Sequence, residues 1–402
     1  MSTPSADESA EESRRSGPTV SWFELFYDLV VVAAVSLCND AYLEKPSWAT
    51  AIAALLSIAA LSWVWLMTTV LNNVFPRDDL LRRLLLLAQM AFIVIAALAV
   101  DQDGLQNSIG LAAYGASILV IGVLVLRERG GLDRARVIKG GLASLGVSAG
   151  ICFIGALFFS SHAGIVLSLA LGISVGSALT ARLETPGSGT LLRVDHLRER
   201  RGLFILIILG EGFAELVHEL HSHGSIPRGG IFVLTFLLSF ALWWIYFDGT
   251  FSERLDRVLV HWRLSLLGHL LLIYGMAGTL DLLVLVTAQE EEVLGDSSLL
   301  YFGISLATVF FAFALLGWTV RGRVGAPGWV QIISGLVVIG IGLAGTAGED
   351  RSVNAVMITT SVLVIANALF AVWVDRREVA PGWRNTLKAV ISGESSQDEI
   401  LD

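Results

Sequence analysis

Charge is scarce in this chain. Only 16% of its 402 residues are Asp, Glu, Lys or Arg, against 54% that are hydrophobic, whereas globular domains carry roughly 25% charge. The charge collects in short clusters between apolar stretches of about twenty residues, long enough to cross a bilayer as helices. Cysteine is nearly missing: Cys38 and Cys152 both lie in apolar segments, where they read as small core residues and imply no disulfide or metal framework. The only lysines are Lys45, Lys139 and Lys388. All stand in loops or at the ends of apolar stretches, which argues against a retinal protein with a buried Schiff base. No Walker sequence is present, and no connection between apolar stretches exceeds about twenty residues, too short for a nucleotide-binding domain. ATP-driven transport by this chain alone is therefore not expected. A signal peptide's charged-then-apolar design is also missing at the N-terminus, so the first apolar stretch is expected to be retained.

Against those absences stands a mean hydropathy of +0.71. The formal net charge of -9 comes largely from two polar tails, Asp7–Glu12 and Glu394–Asp402, both expected to be disordered. It does not point to nucleic acid. Apolar windows predict spans near 23–39, 48–71, 83–100, 105–126, 137–159, 163–181, 202–218, 230–248, 263–288, 298–319, 328–347 and 353–374. Charge bias checks this count independently, because loops facing the cytoplasm hold an excess of Lys and Arg. With the N-terminus inside, all but Lys45, Arg228 and Arg351 of the 27 basic residues fall on the inner side. A wrong count would scramble that alternation. The chain is thus expected to be an all-α, polytopic helix bundle, multi-pass with both termini cytoplasmic.

The halves echo each other at an offset of about 178 residues. Leu25-Phe26 with Leu29-Val30 lies over Leu203-Phe204 with Ile207-Ile208, and Val64-Trp65-Leu66 lies over Trp243-Trp244-Ile245. Six spans per half give both halves the same orientation, related by an axis along the membrane normal, an architecture common in secondary transporters. The expected organisation is a tail over 1–20, a first repeat over 21–182, a linker over 183–201, a second repeat over 202–375 and a tail over 376–402. Gly146 with Gly150 and Gly172 with Gly176 have the small-xxx-small spacing that permits close helix packing.

Acidic groups inside hydrocarbon are costly and usually face a protein interior or a watery cavity. Glu24 and Asp28 are four residues apart on one face of the first span. The seventh span repeats the theme with Glu211 and Glu215, and His218 follows on the face of Glu211. Paired carboxylates in low dielectric tend to hold a proton near neutral pH, which is what a proton-coupled carrier needs. Equally, they can accept hydrogen bonds and only fix packing. Asp248, after Trp243-Trp244-Ile245-Tyr246-Phe247, either faces a cavity or ends an interfacial aromatic belt. His269, within the ninth span, is either a packing residue or a group titrating near neutrality. Asp281, further along that span, has no obvious local partner. Asp195-His196-Leu197-Arg198-Glu199-Arg200-Arg201 reads as a basic anchor at the mouth of the seventh span, or as the source of an arginine for the acidic groups. The loop His218-Glu219-Leu220-His221-Ser222-His223 matches no zinc spacing, and no metal is expected.

Several of these fragments together resemble the low-temperature-requirement protein A family of bacterial membrane proteins. Phe23-Glu24-Leu25-Phe26-Tyr27-Asp28-Leu29-Val30 is similar to that family's opening signature. His196, Glu199, Arg200, Gly202, Leu203, Phe204 and Leu209-Gly210-Glu211 resemble its mid-chain motif. Trp243-Trp244, Tyr246-Phe247-Asp248 and His269-Leu270 with Gly275 resemble its later ones. Tyr27 stands where phenylalanine is usual, and Arg201 at a common aromatic position. The resemblance, from about residue 20 to 375, implies a multi-span fold and the same polar residues; it supplies no substrate.

The leading expectation is a proton- or cation-coupled secondary transporter of an unidentified small solute. Glu24, Asp28, Glu211, Glu215, Asp248 and His269 are its candidate binding residues, with Tyr27, His196, Arg200, Trp244 and Tyr246 in support. A membrane-embedded enzyme, a small-molecule-binding or stress-response protein with a buried polar cavity, and a scaffold whose polar network serves only folding remain the alternatives. The expected partners are the lipid bilayer and a solute or ion, with no cofactor and no nucleic acid.

Overall fold

The computed structural model describes residues 20–45, 47–100, 108–128, 134–180, 184–185, 189–190, 193–222, 229–250, 262–288, 296–322, 324–347 and 353–378. They form twelve α-helices: α1 (Trp22–Glu44), α2 (Trp48–Val74), α3 (Leu80–Leu98), α4 (Ser108–Arg127), α5 (Arg134–Phe158) and α6 (Ala163–Thr180), then α7 (Val194–Ser222), α8 (Gly229–Trp244), α9 (Trp262–Ala288), α10 (Asp296–Arg321), α11 (Ala326–Ala347) and α12 (Val353–Glu378). A 3-10 turn, Ser160–His162, precedes α6, and a π-helical turn, Ile245–Thr250, extends α8. One antiparallel pairing of Glu184–Thr185 with Gly189–Thr190 is the only strand structure among the described residues.

Helices are what hydrocarbon permits, because every backbone N–H and C=O must be satisfied within the segment. Proline respects this: Pro46 and Pro76 bracket α2, and Pro327 lies in the first turn of α11, where its missing N–H has no helical partner to lose. Among the described residues, nine helices are long and apolar enough to span a membrane, and α8 and α12 hold shorter apolar stretches, Phe232–Phe247 and Ala355–Ala371. Among the described helices α7 alone holds neither, because five acidic residues and three arginines interrupt its 29-residue length. That helix begins well before the span expected from residue 202, and its extra turns carry His196, Arg200 and Arg201 inward, all buried. The tails and the loop histidine His223 lie outside the described residues.

Burial sorts the helices. The spans of α2, α9 and α10 are 72%, 78% and 72% buried, while those of α5 and α6 are 28% buried. α1 packs on α2, α3, α7 and α9, and α7 packs on α9, so α1, α7 and α9 meet along one seam. The glycine expectation is corrected here. A Cβ at Gly146, Gly150, Gly172 or Gly176 would meet nothing within 4 Å, since these glycines lie on loosely covered α5 and α6. The close glycine contacts occur at other positions, Gly155 of α5 against Val166 of α6 and Gly268, Gly275 and Gly278 of α9 against α10.

One end of the bundle is tied by charge. Asp79 caps α3 by accepting from the Arg82 backbone N–H at 2.8 Å and from Arg127 at 3.1 Å. Arg82, buried, reaches Glu128 at 3.3 Å and Asn72 at 2.7 Å. The Arg82 N–H and the Arg127 guanidinium hold the Asp79 carboxyl below its usual range. This tie is therefore intact at neutral pH and loosens as pH falls through the carboxylate range.

Candidate functional site

Ser21 starts α1 with a capping box. Its hydroxyl accepts from the Glu24 backbone N–H at 3.2 Å, and the Glu24 carboxylate accepts from the Ser21 N–H at 3.1 Å. One turn on, Asp28 is fully buried. Arg200 enters from α7, also fully buried, and binds both acids. Its Nη2 and Nε donate to Asp28 at 2.9 and 3.2 Å, and its Nη1 donates to Glu24 at 3.1 Å. From α2, the Trp65 indole N–H donates to Asp28 at 2.7 Å, while the Trp65 ring lies 4.0 Å from that of Phe204. The guanidinium sits 5.8 Å over the Tyr27 ring, within cation–π range. Two carboxylates thus share one arginine, so when both are ionised a single negative charge is surplus, at the partly exposed Glu24 end of the set.

His196 is the group beside that surplus. Its Nε2 lies 3.3 Å from Glu24 Oε2, and its Nδ1 lies 3.3 Å from the Asn73 amide nitrogen. Asn73 is oriented by the start of α7: its Oδ1 accepts from the Arg193 N–H and its NH2 donates to the Arg193 carbonyl, both at 2.8 Å. An amide that donates to Nδ1 leaves the imidazole hydrogen on Nε2, pointed at Glu24.

Further along the seam is a second acidic group. Ser36 donates to Glu215, and the Asn39 amide donates to Asp281 of α9. Tyr301 of α10 donates to Asn39 Oδ1 at 3.0 Å and stacks on Tyr42, with ring centroids 4.3 Å apart. Glu211, Glu215 and Asp281 line a cavity of about 20 Å³ together with Ser36, room for about one water. Glu211 makes no hydrogen bond among the described residues.

The profile of the bacterial low temperature requirement A protein (LtrA) family matches residues 19–374. The chain belongs to the LtrA family. An uncharacterized protein of Rhizobium meliloti (strain 1021) is 26% identical over 344 residues, covering 82% of this chain and 80% of that protein. Both acidic groups fall inside the LtrA match, as does a third polar cluster that the expected carboxylates do not enter. In it Arg201, buried beside Arg200 but turned to the opposite side, donates to Ser265 Oγ at 2.8 Å and to the Leu197 carbonyl at 3.1 Å. His269 Nδ1 lies 2.7 Å from the Ser265 carbonyl, which requires its hydrogen there, so Nε2 accepts from the Tyr246 hydroxyl at 3.3 Å. Arg201 has no carboxylate within ion-pair distance among the described residues.

The expected residues of this LtrA chain therefore divide. Glu24, Asp28, Tyr27, His196 and Arg200 come together. Glu211 and Glu215 join Asp281, and His269 and Tyr246 join Arg201. Trp244 packs edge-on against Phe240, and the Asp248 side chain lies outside the described residues. Sequence reasoning passed over Asn39, Asn73, Trp65 and Gln89, and named Arg201 only as part of the basic run. Helical spacing was a usable signal for Asn39, which follows Asp28 by eleven residues on the same face. None existed for Asn73, whose partners lie 120 and 123 residues away.

Gln89 ties three helices, accepting from Tyr27 at 3.0 Å and donating to the Ser117 carbonyl at 3.0 Å, with Thr68 at 3.2 Å. Because Thr68 still serves the Gln89 oxygen, Tyr27→Phe is expected to cost only about 1 kcal/mol. Thermal unfolding in detergent reads this, and a loss several times larger would give the hydroxyl another role.

Proposed function

We propose that the protein is a proton-coupled secondary transporter of a small solute, in which Glu24, Asp28, Arg200 and His196 form the coupling site and the cavity at Glu211, Glu215 and Asp281 belongs to the ion path. The observation that carries this reading is the pair of carboxylates sharing one arginine between α1 and α7, with a histidine against Glu24. A proton taken up at His196 neutralises the surplus. It also places a second N–H against the Asn73 amide, which donates to that nitrogen, so the contact must break. Since Asn73 holds the start of α7 through Arg193, protonation is linked to movement of α7 against α2. Such a bistable contact is what a coupled carrier needs.

In this reading α1 to α6 and α7 to α12 are two repeats with the same orientation, both ends of the chain cytoplasmic in the bacterial inner membrane. Equivalent neighbours support it. α1 packs on α3 as α7 does on α9; α3 packs on α4 and α4 on α5 as α9 does on α10 and α10 on α11; and α2 packs on α6 as α8 does on α12. Two polar positions recur near the same offset, Thr68 over Tyr246 and Gln89 close to His269. Placing the site between repeats agrees with transporters built this way.

The test is proton movement in proteoliposomes with a pH-sensitive dye inside, under an imposed pH step, against a panel of inorganic cations, amino acids and organic acids. Wild type is expected to show solute-dependent flux, reduced more than about tenfold in Glu24→Gln and His196→Gln. Asn73→Asp, which accepts the hydrogen of a protonated His196, is expected to shift the flux optimum to higher pH. Wild-type liposomes indistinguishable from empty ones across the panel would rule the reading out.

A further inference from the structure

Arg200 and Arg201 are neighbours in the chain and both are buried, yet only Arg200 meets carboxylates. Arg201 spends its Nε on the Leu197 carbonyl and its Nη1 on Ser265 Oγ, and its Nη2 has no hydrogen-bond partner among the described residues. Ser265, also buried, takes that Nη1 bond at its Oγ and gives its carbonyl to His269 Nδ1. Its own hydroxyl hydrogen has no acceptor among the described residues. His269 adds to the excess of donors. Its Nδ1–H stands 3.3 Å from Arg201 Nη1, donor against donor, and its Nε2 is already taken by the Tyr246 hydroxyl. A buried donor left without an acceptor keeps its full desolvation cost, the more so when it is charged. This cluster between α7 and α9 therefore holds one positive charge and two adjacent unspent donors, with no acceptor to meet them.

What the cluster lacks is an anion. A neutral acceptor such as water would take a hydrogen bond and leave the guanidinium charge unmatched in a desolvated place. A carboxylate meets all three needs: one oxygen accepts from Nη2, the other from the serine hydroxyl, and its charge balances the guanidinium. We infer that Arg201 and Ser265 form a binding site for a small anion, held through its carboxylate. Calling that anion the transported solute rests on the transporter reading above; the binding itself does not. In that reading the carboxylate lands one residue from Arg200, which holds the coupling acids, so solute and proton act on the same turn of α7. A proton taken up with a carboxylate moves no net charge, the simplest form such coupling can take.

Thermal unfolding of the detergent-purified full chain tests this, with sodium formate replacing sodium methanesulfonate at constant ionic strength. Formate is the smallest carboxylate, and formamide is its neutral control. Wild type is expected to show a saturating rise in melting temperature with formate and none with formamide. Arg201→Gln is expected to weaken formate binding at least about tenfold, the loss of a charge-assisted hydrogen bond, and Ser265→Ala about threefold, the loss of a neutral one. Without formate, Arg201→Gln is expected to keep the wild-type melting temperature, because the charge it removes has no counter-charge to strand. Glu24→Gln is expected to bind formate as wild type does, so a silent transport assay and a missing anion site are told apart. Should Arg201→Gln fail to fold, Ser265→Ala decides alone. No saturating shift in wild type, an equal shift with formamide, or undiminished formate binding in a folded Arg201→Gln or Ser265→Ala would each overturn the assignment.

Discussion

Arg200→Met is expected to be among the most damaging single substitutions in this chain. It leaves Asp28, fully buried, with only the Trp65 N–H at 2.7 Å, and it removes from Glu24 its 3.1 Å guanidinium contact. Removing one partner of a buried pair costs about 3–5 kcal/mol, because the other charge stays desolvated. The expected readout is a large drop in the melting temperature and in the yield of monodisperse protein. Arg200→Lys retains the charge but not the fork that spans both acids, and is expected to fall between. Replacing the whole set, Glu24→Gln with Asp28→Asn and Arg200→Met, is expected to recover most of the stability, since a buried ion set can often be exchanged for neutral groups at little cost. That triple variant separates folding from function: it is expected to fold and to move no protons. A triple variant that still supports solute-dependent proton flux would remove the network from the coupling mechanism.

Gly275→Ala is the second large effect, and it acts through packing alone. A Cβ at Gly275 would stand 2.8 Å from the Ser305 carbonyl oxygen, the Val309 amide nitrogen and a Val309 methyl. Two of these three are backbone, so no rotamer change relieves the overlap and α9 must move from α10. Overpacking of this kind costs about 1–3 kcal/mol. The displacement would also pass along α9 to Asp281, one and a half turns on. Gly122→Ala is the matched control, since nothing lies within 4 Å of its Cβ; there the helix should gain up to about 1 kcal/mol, because alanine is the better helix former. Equal melting temperatures for the two variants would show that the α9–α10 contact yields where its backbone geometry says it cannot.

The bundle itself was legible in the sequence, because crossing a bilayer is a local property of length and apolarity. The spans expected near 48–71, 105–126 and 263–288 became α2, α4 and α9 with nearly those bounds. α7 began earlier than expected, since a hydropathy window excludes a segment rich in arginine, while a helix tolerates it when each arginine finds a partner. The charged pairs at Glu24 with Asp28 and Glu211 with Glu215 were visible for the opposite reason: a carboxylate in an apolar run is conspicuous. Arg200 was read as an anchor or a partner with nothing to separate the two, for Arg198, Arg200 and Arg201 look alike in sequence.

By itself, then, the sequence determined that the protein is helical, which segments are apolar enough to span a membrane, and that the chain resembles the LtrA family, because hydrophobic length, charge spacing and motif identity are properties of consecutive residues. Only the tertiary structure decided that Arg200 turns to α1 while its neighbour Arg201 turns to α9, that Asn73 sets the face His196 shows to Glu24, and that Asp281 meets Asn39. Those partners are 120 to 242 residues apart along the chain for all but the α9 contacts of Arg201, and which side chains meet is set by the rotation of each helix about its axis. In hydrocarbon that rotation is fixed by shape and by the need to pair every buried polar group, a condition on the assembled bundle that no single segment carries.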